Sequence, residues 1–431
     1  MNRSLNLESL EQLGWRFGLE TIQDLLLELG HPGSSLRVVH VAGSNGKGST
    51  CAYVASYLKA CGYKVGLYTS PHLCDIRERF RINGTWIPMH DFERHSRKVL
   101  QACLKVKKKL GHLPTHFEAL TAIAFCWFEE QKVDWVVLEV GLGGRLDATN
   151  VISTPAVSLI TPVGLEHQNI LGKTLKAIAL EKAGILKEGC LAATWQRHPE
   201  ALQAIERSAL EKGAKISVGG RDFKFSRTSW GFKWQGGGIR ENFKLPGLPD
   251  HQVGNASLAI AGIQCLASQG VPFEPRLVQR SFAAMRWPGR LEVLRHKPLV
   301  ILDGAHNPDA AKALADAIRK KYPGKKWIIL NGFLKDKDYT SSIRYLSPFC
   351  ALSLVTEPPS ERKESGVVLL RAWEKAGARS LVVPEWEKAL ELALRKIRSS
   401  KGGLGLLITG SLYLGGACRK ALLGLKGLEK I

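Results

Sequence analysis

Gly43-Ser44-Asn45-Gly46-Lys47-Gly48-Ser49-Thr50 follows directly on the largely apolar run Val38-Val39-His40-Val41-Ala42. The three glycines let backbone N–H groups converge on phosphate oxygens, and a helix beginning at Ser49 adds its positive end. Lys47 is placed to reach β- and γ-phosphates, and Ser49 or Thr50 to contact phosphate or magnesium. The spacing still misses the usual nucleotide loop. G-x-x-x-x-G-K-[ST] ending on Gly46-Lys47 needs glycine at 41 and Ser or Thr at 48, where the chain has Val41 and Gly48. Strand, glycine loop and helix in that order predict an α/β nucleotide-binding fold with a phosphate loop of an uncommon kind.

Reading outward, Lys64–Tyr68, Val133–Val140 and Ala156–Ile160 are short apolar runs that predict strands, and His116–Glu130 has helical spacing. Around residues 215–245 the pattern changes to short alternating segments split by Gly236–Gly238, which predicts a small antiparallel addition. Helical spacing returns over Asn255–Leu266, with Gly254-Asn255-Ala256 read as a cap at its start. Pro288-Gly289 is the expected boundary, placing a nucleotide-binding domain at residues 1–290 and a smaller one at 291–431. In the second, Leu299–Leu302, Trp327–Leu330, Ala351–Val355, Ser380–Val383 and Gly405–Thr409 alternate with helices, so a second, mostly parallel sheet is expected.

The bulk properties exclude more than they identify. A chain of 431 residues exceeds what one hydrophobic core usually serves. Residues 1–20 lack the apolar core of a signal peptide, and no apolar run approaches the ~20 residues needed to span a bilayer. Nine cysteines without a C-x-x-C pair fit reduced thiols and a cytoplasmic protein. The 61 Lys and Arg against 39 Asp and Glu give +22, which favours anionic partners. No zinc-finger spacing or aromatic–basic interleaving accompanies that charge, so nucleic acid is not the expected partner.

Further candidates stand at the expected ends of strands, where parallel α/β sheets gather functional groups. They are Ser70, Glu139 and the pair Glu166-His167. A carboxylate closing the run Trp135-Val-Val-Leu-Glu139 is costly to bury unless it is paired or metal-bound. In the second domain, Asp303-Gly-Ala-His306-Asn-Pro308 follows a strand and opens a helix, and reads either as a functional turn or as an Asx-type cap. ATP, Mg²⁺ and two domains fit a kinase or an ATP-driven ligase, and these residues alone do not separate the two.

The ordered motifs do. The chain resembles the folylpolyglutamate synthase/dihydrofolate synthase family of the Mur ligase superfamily. It does so through the phosphate loop, Tyr68-Thr-Ser-Pro-His-Leu, Leu138-Glu-Val-Gly-Leu-Gly-Gly-Arg-Leu-Asp-Ala-Thr-Asn, Glu181-Lys-Ala-Gly-Ile, Leu248-Pro-Asp-His-Gln-Val-Gly-Asn-Ala, Trp287-Pro-Gly-Arg and Asp303-Gly-Ala-His-Asn. The resemblance implies a Mur-ligase-like fold: a P-loop NTPase-type central parallel sheet plus a Rossmann-like C-terminal α/β domain. It implies a ligase that activates a carboxylate with ATP as an acyl phosphate and joins it to L-glutamate. The acceptor is dihydropteroate, a reduced folate or both. A bifunctional enzyme is expected, with a monofunctional folylpolyglutamate synthase as the alternative. It further implies nucleotide contacts from Gly43, Asn45, Gly46, Lys47, Gly48, Ser49, Thr50, Asn255, Arg290 and Asp303. Magnesium ligands would be Ser49, Ser70, Glu139, His167 and Lys182, the last as a carbamate. Lys47, Glu139, His167, Lys182 and His306 would carry the catalysis. The partners would be ATP, L-glutamate and the folate acceptor, with neither nucleic acid nor membrane, and the chain would act as a monomer. One departure stands out: Glu166 replaces the family's usual Asp before His167.

Overall fold

The computed structural model describes residues 5–424, except 12, 15 and 401, so parts of both expected termini lie outside it. The described chain divides into two compact units. One runs to His72 and resumes over Arg77–Met285; the other joins Leu73–Ile76 to the chain from Arg286 onward.

The first unit is built on an eight-stranded sheet in the order β4-β3-β2-β5-β1-β6-β7-β8. Its strands are β1 Val38–Ala42, β2 Val65–Tyr68, β3 Phe80–Ile82, β4 Thr85–Trp86, β5 Trp135–Glu139, β6 Val157–Ile160, β7 Leu191–Thr194 and β8 Lys215–Val218. From β2 to β8 every pairing is parallel, whereas β3 and β4 form an antiparallel extension on the edge beside β2. The sheet is therefore mixed. The expected parallel character holds for its interior, and β8 extends it where the sequence pattern suggests the antiparallel region has begun.

Every residue of β1 and β5 is buried, as fits interior strands of a parallel sheet covered on both faces. Helix Lys47–Ala60 packs beside helix Asp250–Ala267 and against β5 and β2. Phe128, on helix His116–Glu130, lies 2.9 Å from where a Cβ at Gly66 would stand, so that helix seats directly on β2. Its start is fixed by a capping box. Thr115 Oγ1 accepts from the Glu118 N–H at 3.3 Å, and Glu118 Oε2 accepts from the Thr115 N–H at 2.7 Å.

The antiparallel addition is a separate sheet of β9 Phe223–Thr228, β10 Gly231–Gly236 and β11 Ile239–Phe243, in the order β11-β10-β9. The helix expected to start at Asn255 instead starts at Asp250, after Pro249. The Pro249 backbone is extended and supplies the break, and Asn255 lies in the second turn, buried. Asn255 is thus not a cap.

The second unit carries a six-stranded sheet, β12-β13-β17-β14-β15-β16. The strands are β12 Glu292–His296, β13 Leu299–Leu302, β14 Lys326–Asn331, β15 Cys350–Val355, β16 Ser380–Val382 and β17 Leu404–Thr409. Only β12 is antiparallel to its neighbour, which makes this a doubly covered α/β domain with one reversed edge strand. Among the described residues no helix is long and apolar enough to cross a membrane.

Candidate active site

The loop after β1 owes its path to two glycines. A Cβ at Gly43, which has φ +139, would fall 1.8 Å from Thr161 Oγ1; one at Gly46, with φ +92, would fall 2.2 Å from Asn255 Oδ1. No side chain fits at either position. The N–H groups of Ser44 and Asn45 point at Pro162 O, at 3.1 and 3.4 Å, and so hold the loop to the segment after β6. The amides left for an anion are those of Gly46, Lys47, Gly48 and Ser49, at the first turn of helix Lys47–Ala60, where no intrahelical acceptor exists. The helix starts at Lys47, two residues before the expected Ser49. The Lys47 ammonium folds back over the loop onto Gly43 O at 3.0 Å and Ser44 O at 3.3 Å, adding a full charge to the helix end.

Ser49 Oγ accepts from Gln252 Nε2 at 3.2 Å, and Gln252 Oε1 accepts from Asn255 Nδ2 at 3.4 Å. Asn255 thus joins the loop through its own side chain and through Gln252, a residue the motif reading passed over although it stands three positions earlier on the same helix. Thr50 Oγ1 is buried without a protein hydrogen-bond partner.

Two further sites converge in this unit. Glu139, buried at the end of β5, accepts the Ser70 N–H at 3.1 Å, bringing together two of the expected metal ligands. Lys182, 2 % exposed, donates to Gly43 O at 2.8 Å and to Glu166 Oε1 at 2.7 Å. Burial pushes the Lys182 ammonium down to about 8 against the pull of Glu166. Burial alone would raise the Glu166 carboxyl, but Lys182 and Lys47 outweigh it and hold it at about 2. Both are charged at neutral pH. Glu166 thus meets the unmodified Lys182, a pairing with no signal in the local sequence around Glu166-His167. His167 follows in a left-handed conformation, φ 47, at the start of the short helix Gln168–Leu171.

Magnesium is asked of oxygen donors, and it usually takes one or two carboxylates, phosphate and several waters rather than an all-protein cage. Among the described residues no group of three or more His, Cys, Asp or Glu forms such a cage. The buried Glu139 carboxylate beside Ser70, and the hydroxyls of Ser49 and the orphaned Thr50, fit the sparser arrangement.

A cavity in the same unit is lined by Arg16, Phe17, Thr115, Phe117, Leu142 and Asp147, among others. Asp147 Oδ1 accepts from Thr149 Oγ1 at 2.6 Å, and Thr149 Oγ1 is 2.8 Å from His40 Nε2. Burial, aided by Lys187, pushes His40 down to about 3, so the ring is neutral. With the Thr149 hydroxyl donating to Asp147, His40 Nε2–H is the donor to Thr149. Asp147 lies inside the quoted motif 138–150, but its link to β1 spans more than a hundred residues and has no local signal.

In the second unit, Arg290, Asp303 and His306 are brought together. Asp303 Oδ2 accepts the Leu291 N–H at 2.8 Å and Oδ1 accepts the Ala305 N–H at 2.9 Å. His306 Nδ1 lies 2.8 Å from Gly304 O. Asn307 Oδ1 caps helix Pro308–Lys321 by accepting from the Ala310 N–H at 2.8 Å. The turn is thus both a capped helix start and a scaffold that holds the Arg290 guanidinium against Gly304.

Comparison with known proteins agrees with this geometry. Residues 41–263 match the Mur ligase middle domain, and residues 289–412 match the Mur ligase glutamate ligase domain. The chain is 35% identical to the folylpolyglutamate synthase of Lacticaseibacillus casei over 413 residues, covering 94% of each. It is 34% identical to a dihydrofolate synthase/folylpolyglutamate synthase of Bacillus subtilis over 432 residues, covering 95% of this chain and 96% of the other. The Mycobacterium tuberculosis folylpolyglutamate synthase complexed with ADP superposes with a TM-score of 0.89 at 31% identity, over 96% and 97% of the two chains.

Proposed function

The chain belongs to the folylpolyglutamate synthase/dihydrofolate synthase family and is an ATP-dependent ligase with the Mur-ligase fold, and from that premise we propose that it is bifunctional. It adds L-glutamate to dihydropteroate and to the terminal γ-carboxylate of reduced folates. A carboxylate oxygen of the acceptor attacks the γ-phosphorus of ATP, and ADP leaves. The glutamate amine then attacks the acyl carbon, loses a proton, and phosphate departs as the amide forms. Similarity to a dihydrofolate synthase/folylpolyglutamate synthase supports the two acceptors, and the observation that carries the phosphoryl chemistry is the loop itself. Its first-turn amides and the Lys47 ammonium converge where a transferring phosphoryl needs neutralisation.

Around the loop, Ser49, Thr50 and Asn255 orient the nucleotide, and the same loop supplies Gly43, Asn45, Gly46 and Gly48. For the second unit, nucleotide and glutamate binding are assigned to Arg290, Asp303 and His306. Glu139, Ser70, His167 and Ser49 would hold Mg²⁺, which would supply Lewis-acid neutralisation of the phosphoryl oxygens. Lys182, as a carbamate, would be a further Mg²⁺ ligand, and forming that group requires its amine to release Gly43 and Glu166. All nine cysteines are free thiols, which supports action in a reducing cytoplasm, and a monomer is the assembly proposed.

The test is ADP release from the purified protein with ATP, Mg²⁺, L-glutamate and either dihydropteroate or tetrahydrofolate, with products resolved by mass. Turnover with both acceptors is expected. Turnover with tetrahydrofolate alone replaces the bifunctional reading with the monofunctional one, and no glutamate-dependent turnover with either overturns both.

A further inference from the structure

Arg419 stands on the helix Leu412–Leu423 and is 1 % exposed. Its Nε donates to Oε1 and Oε2 of Glu292, at 3.0 and 3.1 Å. The same Oε2 accepts the Gly289 N–H at 2.8 Å. Gly289 O in turn accepts the Gly304 N–H at 2.8 Å. On the far side of Arg290, Leu291 is held left-handed at φ 47, with its N–H on Asp303. Arg290 therefore sits between two residues whose backbone is fixed by carboxylates, and one of those carboxylates is fixed by Arg419.

The same side chain reaches another segment. Arg419 Nη1 is 3.9 Å from Cys74 Sγ, whose thiol donates to Gly416 O at 3.4 Å. One turn of helix before Arg419, Gly416 has no room for a Cβ, which would fall 1.7 Å from Leu73 O. This helix thus holds Leu73–Cys74, three residues beyond Ser70 in the chain, and Glu292 beside the Arg290 turn.

A buried ion pair is a poor device for stability alone, since well-packed apolar residues of the same volume often do as well or better. Glu292 does something that an apolar residue cannot: it accepts the Gly289 amide. We infer that Arg419 and Glu292 are positioning residues for the ligase, holding the Gly289–Leu291 turn so that the Arg290 guanidinium is preorganised for the polyphosphate of ATP. The inference rests on the reading of Arg290 as a nucleotide contact.

The test compares Glu292→Gln, Arg419→Lys, Arg290→Ala and the apolar pair Glu292→Leu with Arg419→Met, all in the full chain. Amide hydrogen exchange over residues 287–292, melting temperature, KM for ATP and kcat are measured for each. The apolar pair should melt near the parent protein yet exchange faster over 287–292. Its KM for ATP should rise about tenfold, the scale of one lost charge-assisted hydrogen bond, with kcat changed by no more than about twofold. Glu292→Gln strands the Arg419 charge and should melt below the parent, but it keeps an acceptor for Gly289, so the folded protein should retain slow exchange over 287–292 and a KM near that of the parent. Arg419→Lys should fall between them. Unchanged exchange over 287–292 in the folded apolar pair overturns the proposal, as does an unchanged KM for ATP when Arg290→Ala raises it. If Arg290→Ala leaves that KM unchanged, the nucleotide reading of Arg290 fails instead, and the exchange measurement still decides whether the pair holds the turn.

Discussion

Glu166 in the first unit and Asp303 in the second are carboxylates of the candidate chemistry held by different means. In the first unit Glu166 faces an ammonium, Lys182, buried beside the phosphate loop, and Lys47 adds a second positive charge. In the second unit Asp303 faces backbone, taking one amide on each oxygen. Charge against charge leaves a site ready to exchange partners when a highly charged ligand arrives. Charge against amides ties the carboxylate into the backbone of the turn. The first arrangement suits phosphoryl transfer, and the second suits a fixed turn.

The comparison breaks most easily at Lys47. Lys47→Ala should lower turnover about 10²–10³-fold, as for loss of one preorganised donor to transition-state charge. Steady-state ADP release measures it, and a loss below about tenfold would mean that the loop amides carry the charge without the lysine.

Next in size is Glu166→Gln, which strands the Lys182 ammonium and should cost about 3–5 kcal/mol in urea unfolding. Asp303→Asn retains one acceptor oxygen and should cost less, about 1–3 kcal/mol. Equal costs would erase the distinction between the two regions.

The acid limb sharpens the same point. The Glu166 carboxyl is depressed from 4.5 to about 2 in the folded chain. Between those values the unfolded chain binds the proton more readily, so this contribution is complete above pH 4.5 and is lost as pH falls towards 2. Melting temperature should fall more steeply across that window in the parent than in Glu166→Gln, and parallel slopes would contradict the assignment. The smallest effect is expected away from both regions, where Thr115→Ala removes a helix cap and should cost about 1 kcal/mol with unchanged KM for ATP.

Much of the fold was legible because its signals are local. Val38–Ala42 followed by glycines, and His116–Glu130 with its helical spacing, announce themselves within a few residues. The paired segments of β9–β11 are recognisable from their alternation and from the glycines between them. The β3–β4 extension was not, since strands of three and two residues carry too little pattern. Of the candidate site, the motifs supplied residue types at the right places, but the partners are non-local. Gln252 reaches Ser49, Lys182 reaches both Gly43 and Glu166, and Arg419 reaches Glu292 across 127 positions. Asn255 shows the same limit, since Gly-Asn-Ala resembles a helix start until Pro249 is seen to supply the break.

Gly46 has a consequence for how the protein is made. Its lack of a side chain is imposed by Asn255, and the loop is held from behind by Thr161 and Pro162. All three are synthesised after the loop, Asn255 last. A nascent chain that has emerged only through helix Lys47–Ala60 has the glycines but not the walls that shape them. Nucleotide capture must therefore await the emergence of helix Asp250–Ala267, well past the middle of the chain, and a ribosome-bound fragment ending before that helix should pass through synthesis without engaging the cell's ATP.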